Sequence, residues 1–132
     1  MELGEGLRLG MRRLASGVCV VSTEADGKRF AMTATSVTSL SDSPASLLVC
    51  VNAAAAIRPF LVKGHAFTVN ILGAGQEEIS NSCARSSNGE DRFNVGQWSR
   101  PDEPGAPFLK QAQAIFFCEV DNDTYQYGTH HI

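Results

Sequence analysis

The 132-residue sequence has little of several things, and each shortage excludes a class of protein. No apolar run approaches the roughly 18 to 20 residues that a helix needs to cross a bilayer, so no membrane partner is expected. Cys19, Cys50, Cys83 and Cys118 are far apart and form no CxxC pair, so no metal site is expected. In a reducing compartment they read as four free thiols, the three in apolar strand-like runs packing as small hydrophobes. Charge is also scarce, at 19% of residues, and the net value of −3 is dispersed along the chain. Nothing there would release many counterions from a nucleic-acid backbone, so nucleic acid is not an expected partner. The one basic cluster, Arg8, Arg12 and Arg13, has the spacing of a solvated helix face. The first residues, MELGEGLRLGMRRLASG, lack the basic-then-apolar order of a secretory signal, and the expectation is a mature chain in the cytoplasm.

What is present is a hydrophobic fraction of 43%, enough for one globular core and one domain over residues 1–132. Leu7, Met11 and Leu14 recur at helical intervals behind Glu2 and Glu5, which predicts a helix from about Glu5 to Ala15 that Gly17 ends. Val18 to Thr23, an Asp-Gly turn at Asp26-Gly27, and Arg29 to Thr33 predict a hairpin. Ser46 to Asn52 is almost unbroken in apolar residues, the pattern of a strand covered on both faces. Ala56 to Lys63 carries Ile57, Phe60 and Leu61 at helical offsets, with Pro59 in the first turn and Gly64 as a stop. Ala66 to Leu72 alternates Phe67, Val69 and Ile71 with Thr68 and Asn70, as a half-buried strand does.

Gln76 to Ala84 reads as a polar helix, followed by a mobile Ser/Asn/Gly-rich loop. Pro101, Pro104 and Pro107 make Trp98 to Leu109 a loop, and strand returns at Gln113 to Asp121 and near Tyr125 to Ile132. About six strands with short helices and no regular strand-helix alternation predict a mainly β fold, an antiparallel barrel rather than a parallel doubly wound sheet. His131 and Ile132 fall inside an apparent strand, so that edge is expected to be covered by another chain or by further residues.

The segment with the most unusual composition is MTATSVTSLSDS, Met32 to Ser43, which holds seven hydroxyl side chains and no charge before Asp42. Such a row suits two things: a hydrogen-bond-rich ligand edge or phosphate, or an exposed threonine-rich edge strand. Around it the run GVCVVSTEADGKRFAMTATSVTSLSDSPASLLVCVN resembles the start of the flavin reductase-like domain. FTVNIL, then Asp91-Arg92-Phe93, a Trp followed by GAPFL, an apolar strand holding a Cys, and GTHHI follow in the family's order. The resemblance runs from about Leu7 to the last residue, and its strength lies in the ordered set of motifs.

The resemblance implies a Greek-key-like split β-barrel that works as a homodimer and binds FMN or FAD, with NADH or NADPH as hydride donor. It implies flavin contacts at Thr33, Ala34, Thr35, Ser36, Val37, Ser39 and Leu40, and further ones at Asn52, Ala53 and Ala54. Arg92 and Phe93 match a motif that can approach the flavin, although Phe93 also suits a core position. The family's basic residue after Asn52 is here Ala53, which leaves phosphate neutralisation to Arg58, Lys63, Arg92 or backbone amides. The terminal Gly-acid-His motif reads Gly128-Thr129-His130, so the acid is replaced while His130 remains as the nicotinamide contact. His130 and His131, adjacent on a strand, should point to opposite faces and so form no chelating pair.

Hydride transfer between stacked rings needs no protein nucleophile, so the lack of a Ser-His-Asp or Cys-His set says nothing against an enzyme. Two functions follow: an NAD(P)H-dependent flavin reductase supplying reduced flavin to a partner monooxygenase, or a non-catalytic flavin- or haem-binding split barrel that senses or carries redox state.

Overall fold

The computed structural model describes residues 2–102, 105–122 and 124–132, apart from the side chains of 86–88; Pro104 is outside the description. Helix α1 (Leu3–Met11) comes first and buries none of its side chains. The strands that follow are β1 (Cys19–Ala25), β2 (Lys28–Ala34), β3 (Val37–Asp42), β4 (Ala45–Val49), β5 (Val51–Asn52) and β6 (Ala66–Ile71). Helix α2 (Glu77–Ala84) leads through a 3₁₀ segment, Ser86–Asn94, to β7 (Trp98–Ser99), β8 (Phe108–Leu109), β9 (Ala114–Glu119), β10 (Gln126–Tyr127) and β11 (His130–His131). Every pairing is antiparallel, and the main sheet has the order β2-β1-β6-β9. Three smaller ladders, β10-β11-β5, β3-β4 and β7-β8, stand apart from it among the described residues. The fold is therefore mainly β with short helices.

The hairpin β1-β2 turns at Asp26 and Gly27, both with positive φ, the geometry an Asp-Gly pair favours because it matches the twist of the strands. Strand β1 is buried from Cys19 to Thr23, since core residues pack against both of its faces. Val20 joins Ala31, Ile79, Cys83, Phe93 and Leu109 on one face. Its neighbour Val21 joins Ala34, Val51, Ile57 and Leu61 on the other, as strand alternation requires.

Strand β6 differs from its half-buried prediction: Thr68 and Asn70 are as enclosed as Val69. Their polar groups are tolerated because each finds a partner. Asn70 donates from Nδ2 to the Val20 carbonyl (2.8 Å) and to Ser22 Oγ (3.0 Å), while its Oδ1 accepts the Leu109 amide (2.9 Å). Ser22 Oγ donates to the Pro107 carbonyl at 2.6 Å. These bonds draw residues 106–109 across the sheet as a strap. The strap ends in β8, which pairs with β7, so the Trp98 to Leu109 stretch is a loop bounded by a short ribbon. Gly96, at φ +86, lets that ribbon approach: a Cβ there would meet Leu109 Cδ1 at 2.8 Å.

Other expectations change. The apolar run Ser46 to Asn52 is two strands broken at Cys50, with Leu48 exposed, because β4 pairs only with β3 in an isolated ribbon. The helix expected over Ala56 to Lys63 shrinks to a 3₁₀ turn, Arg58–Phe60, in which Pro59 withholds an amide donor. The first helix lies earlier than its apolar spacing suggested, because no core meets that face. The final strand is a hairpin, β10-β11, turning at Gly128. All four thiols are free; of the three in strand-like runs only Cys19 is fully buried, Cys50 and Cys118 being partly covered, while Cys83 is buried on α2 within the expected helix. Burial pushes the Cys83 thiol up to about 11, against a smaller opposing pull from Arg92.

Replacing Asn70 with Ala strands the Leu109 amide in a dry site. A loss of about 2–4 kcal/mol of stability is expected in urea denaturation; a loss below about 1 kcal/mol would show that the strap does not depend on this residue.

Candidate functional site

The main sheet's second face opens into a groove of about 1660 Å³. Its floor and walls are apolar, from Val21, Phe67, Ile71, Ile115 and Phe116, and the β3-β4 ribbon forms one side. Strand β3 leaves the sheet at the β2-β3 corner, where the Ser36 carbonyl accepts the Cys50 amide at 3.1 Å. Outward-facing side chains of β3 consequently stand along the groove rather than in a core. A register shift between Ser39 and Ser41 places Leu40 at an irregularity in the ladder, 59% exposed.

The expected flavin contacts divide between three places. Thr35, Val37, Ser39 and Leu40 line the groove, as do Thr38 and Ser41, two hydroxyls that the family motif does not single out. Ala34 lies under the groove in the core beside Val21 and Val51, and Ser36 is exposed at the corner. Thr33 points the other way, toward α2, where its hydroxyl donates to the Ser80 carbonyl at 2.6 Å.

Asn52, Ala53 and Ala54 form a second group. Asn52 Oδ1 accepts the Ala54 amide (2.8 Å) and Ala53 donates to the Thr129 carbonyl (2.8 Å). The pairing of Asn52 with His130 brings the terminal motif to this loop. His130 is exposed, with Nδ1 2.8 Å from Thr129 Oγ1.

Arg92 and Phe93 form a third group on the opposite face of the sheet. Arg92 is buried and donates from Nε and Nη2 to the Arg85 carbonyl. Phe93 packs edge-on against Trp98 in the core beneath the Arg29 guanidinium, and Arg29 also pairs with Glu90.

His131 takes the inward position that alternation leaves beside an outward His130. It is 5% exposed and lines the groove, with Nδ1 3.3 Å from Arg58 Nη2 and 2.9 Å from Thr124 Oγ1. A guanidinium only donates, so Nδ1 accepts, and the ring is neutral with its proton on Nε2. Burial first, and the Arg58 charge second, hold this imidazole below its ordinary value near 6.5. Alternation between His130 and His131 was the sequence signal for it; the pairing with Arg58, 73 positions away, left none. Among the described residues no cluster of three or more His, Cys, Asp or Glu could hold a metal.

Solved flavin reductases share this fold. The flavin reductase component of a bacterial two-component tryptophan halogenase, BorF, superposes with a TM-score of 0.85 at 33% identity, covering 97% of this chain and 80% of that one. An NADH:FAD oxidoreductase from Streptomyces globisporus, solved with NAD and FAD fragments, gives 0.80 at 32% identity over 94% of this chain and 75% of that one.

The chain belongs to the flavin reductase like domain family, which residues 11–132 match. That is the family its ordered motifs resembled. A protein named FMN reductase (NADH) RutF from Pseudomonas syringae pv. syringae is 37% identical over 125 residues, 95% of this chain and 69% of that protein.

Because the folded state lowers the His131 pKa, protonation favours the unfolded chain. The stability it contributes is complete above about pH 6.5 and declines as pH falls below that. The urea midpoint should therefore drop more steeply between pH 7 and pH 5 in the parent than in His131→Gln; parallel profiles would contradict this.

Proposed function

We infer that this domain is an NADH-dependent flavin reductase. The observation that carries the reading is the groove: an apolar floor edged by the Thr35, Thr38, Ser39 and Ser41 hydroxyls, in a chain of the flavin reductase-like family. Its residues fit a flavin. Val37, Leu40, Phe67 and Phe116 provide apolar surface for the isoalloxazine, and the hydroxyls offer neutral donors to its polar edge. When bound, the flavin accepts the hydride of the reduced nicotinamide, and the protein's part is to hold the two rings together. We assign flavin contacts to Thr35, Val37, Ser39 and Leu40 and the nicotinamide contact to His130, whose exposed ring beside Asn52 and Ala53 supports that role.

NADH is the donor in the names of the curated relatives, and both FMN and FAD occur in the names of similar proteins. We propose that either flavin is accepted, and that the reduced flavin leaves for a partner oxygenase, as the two-component system of one structural neighbour suggests. The non-catalytic reading is not favoured, since these similar proteins are named as reductases.

We propose further that residues 1–132 form one domain and that a second copy completes its split barrel. Phe116, Phe117 and Leu40 are exposed beside the groove, a concentration of apolar surface that covering would remove from water. A cytoplasmic site suits a protein that uses NADH and carries four free thiols.

Purified protein mixed with NADH and a trace of FMN or FAD should oxidise NADH faster than flavin alone does, followed at the nicotinamide absorbance. His130→Ala should raise the KM for NADH several-fold while leaving flavin binding unchanged. Absence of any protein-dependent, flavin-dependent oxidation would overturn the reductase reading.

A further inference from the structure

We propose that Arg58, held in place by His131, anchors the phosphate of the nucleotide that lies in the groove. This rests on the flavin reductase reading and deepens it by naming the residue that meets the anion.

Arg58 is the only Lys or Arg among the described residues lining the groove, where Asp42, Glu119 and Asp121 are the acids. A phosphate is thus attracted to one point of the wall and repelled from others. Within that guanidinium, Nε is shielded from solvent and has no hydrogen-bond partner among the described residues. That donor is closed to a ligand as well as to water, but Arg58 also has no ion-pair partner among the described residues, and a phosphate meeting its groove-lining side would compensate the charge. Nη2 is meanwhile tied to His131 Nδ1, and Thr124 shares that nitrogen. The neutral His131 therefore orients the guanidinium without adding a positive charge that would repel it.

The other sources of phosphate neutralisation are engaged or elsewhere. Arg92 is buried on the far face, with its donors on the Arg85 carbonyl. Lys63 is exposed and does not line the groove. Residues 53–56 are alanines without side-chain donors. The amides of Ala53, Ala54 and Ala55 are used within the protein, on the Thr129 carbonyl, Asn52 Oδ1 and the Asn52 carbonyl.

Equilibrium binding of two ligand pairs tests the anchor: FMN against riboflavin, and NADH against dihydronicotinamide riboside. Within each pair only the first carries phosphate. The parent should prefer FMN to riboflavin, NADH to its riboside, or both; because NADH also carries an adenosine that its riboside lacks, the pair whose preference depends on Arg58 identifies whose phosphate is held. Arg58→Gln should reduce that preference by about tenfold or more without weakening the phosphate-free ligand, as expected for loss of a charge-assisted bond. Arg58→Lys should restore part of it, and His131→Gln should cost less than Arg58→Gln. Inorganic pyrophosphate should displace the phosphate-bearing ligand from the parent but not its phosphate-free partner, a result that needs no variant to fold. Unchanged preference in a folded Arg58→Gln, equal weakening of both members of a pair, or no displacement by pyrophosphate would overturn the anchor alone. A parent that bound neither FMN nor FAD would overturn the reductase reading, and the anchor with it.

Discussion

The side-chain amide of Asn70 makes three hydrogen bonds where no water reaches, joining β1, β6 and the strap at 106–109. A primary amide suits that position because it donates twice and accepts with its oxygen, so one residue satisfies partners from three segments. With Ser22 and Thr68 it makes a polar seam under an otherwise apolar face. The seam decides which face is closed: the strap and α2 cover this one, and the opposite face is left to the groove.

The groove itself is an electrostatic compromise. Neutral hydroxyls along β3 offer hydrogen bonds at small desolvation cost, while its acids are set against a single guanidinium among the described residues. Such a wall favours a ligand that is mostly uncharged and planar, with negative charge confined to one end. A flavin nucleotide has that shape of charge. The neutral state of His131 matters here, because a second cation beside Arg58 would repel it as well as attract the ligand.

Periodicity and turn chemistry made the strands and the first hairpin legible. The Asp26-Gly27 turn and the alternation of β6 are local properties, and they survive in the structure. Local patterns misled where a neighbour decided the outcome. The apolar run at Ser46 to Asn52 looked doubly covered but belongs to an isolated ribbon, and the polar residues of β6 looked solvated but sit in the seam. Part of the candidate site was legible as a contiguous segment, since Thr35, Val37, Ser39 and Leu40 share the groove. Thr33, Arg92 and Phe93, which fall within the family motifs, lie toward the other face, which the motifs alone could not reveal.

By itself the sequence determined the fold class, the family and the hydroxyl row, because alternation, turn residues and ordered motifs are written in consecutive positions. Tertiary structure decided which hydroxyls reach the groove, which histidine faces inward and which cation lines it. Those depend on contacts between residues as distant as Arg58 and His131, whose meeting is set by strand pairing and packing rather than by either residue's neighbours in the chain.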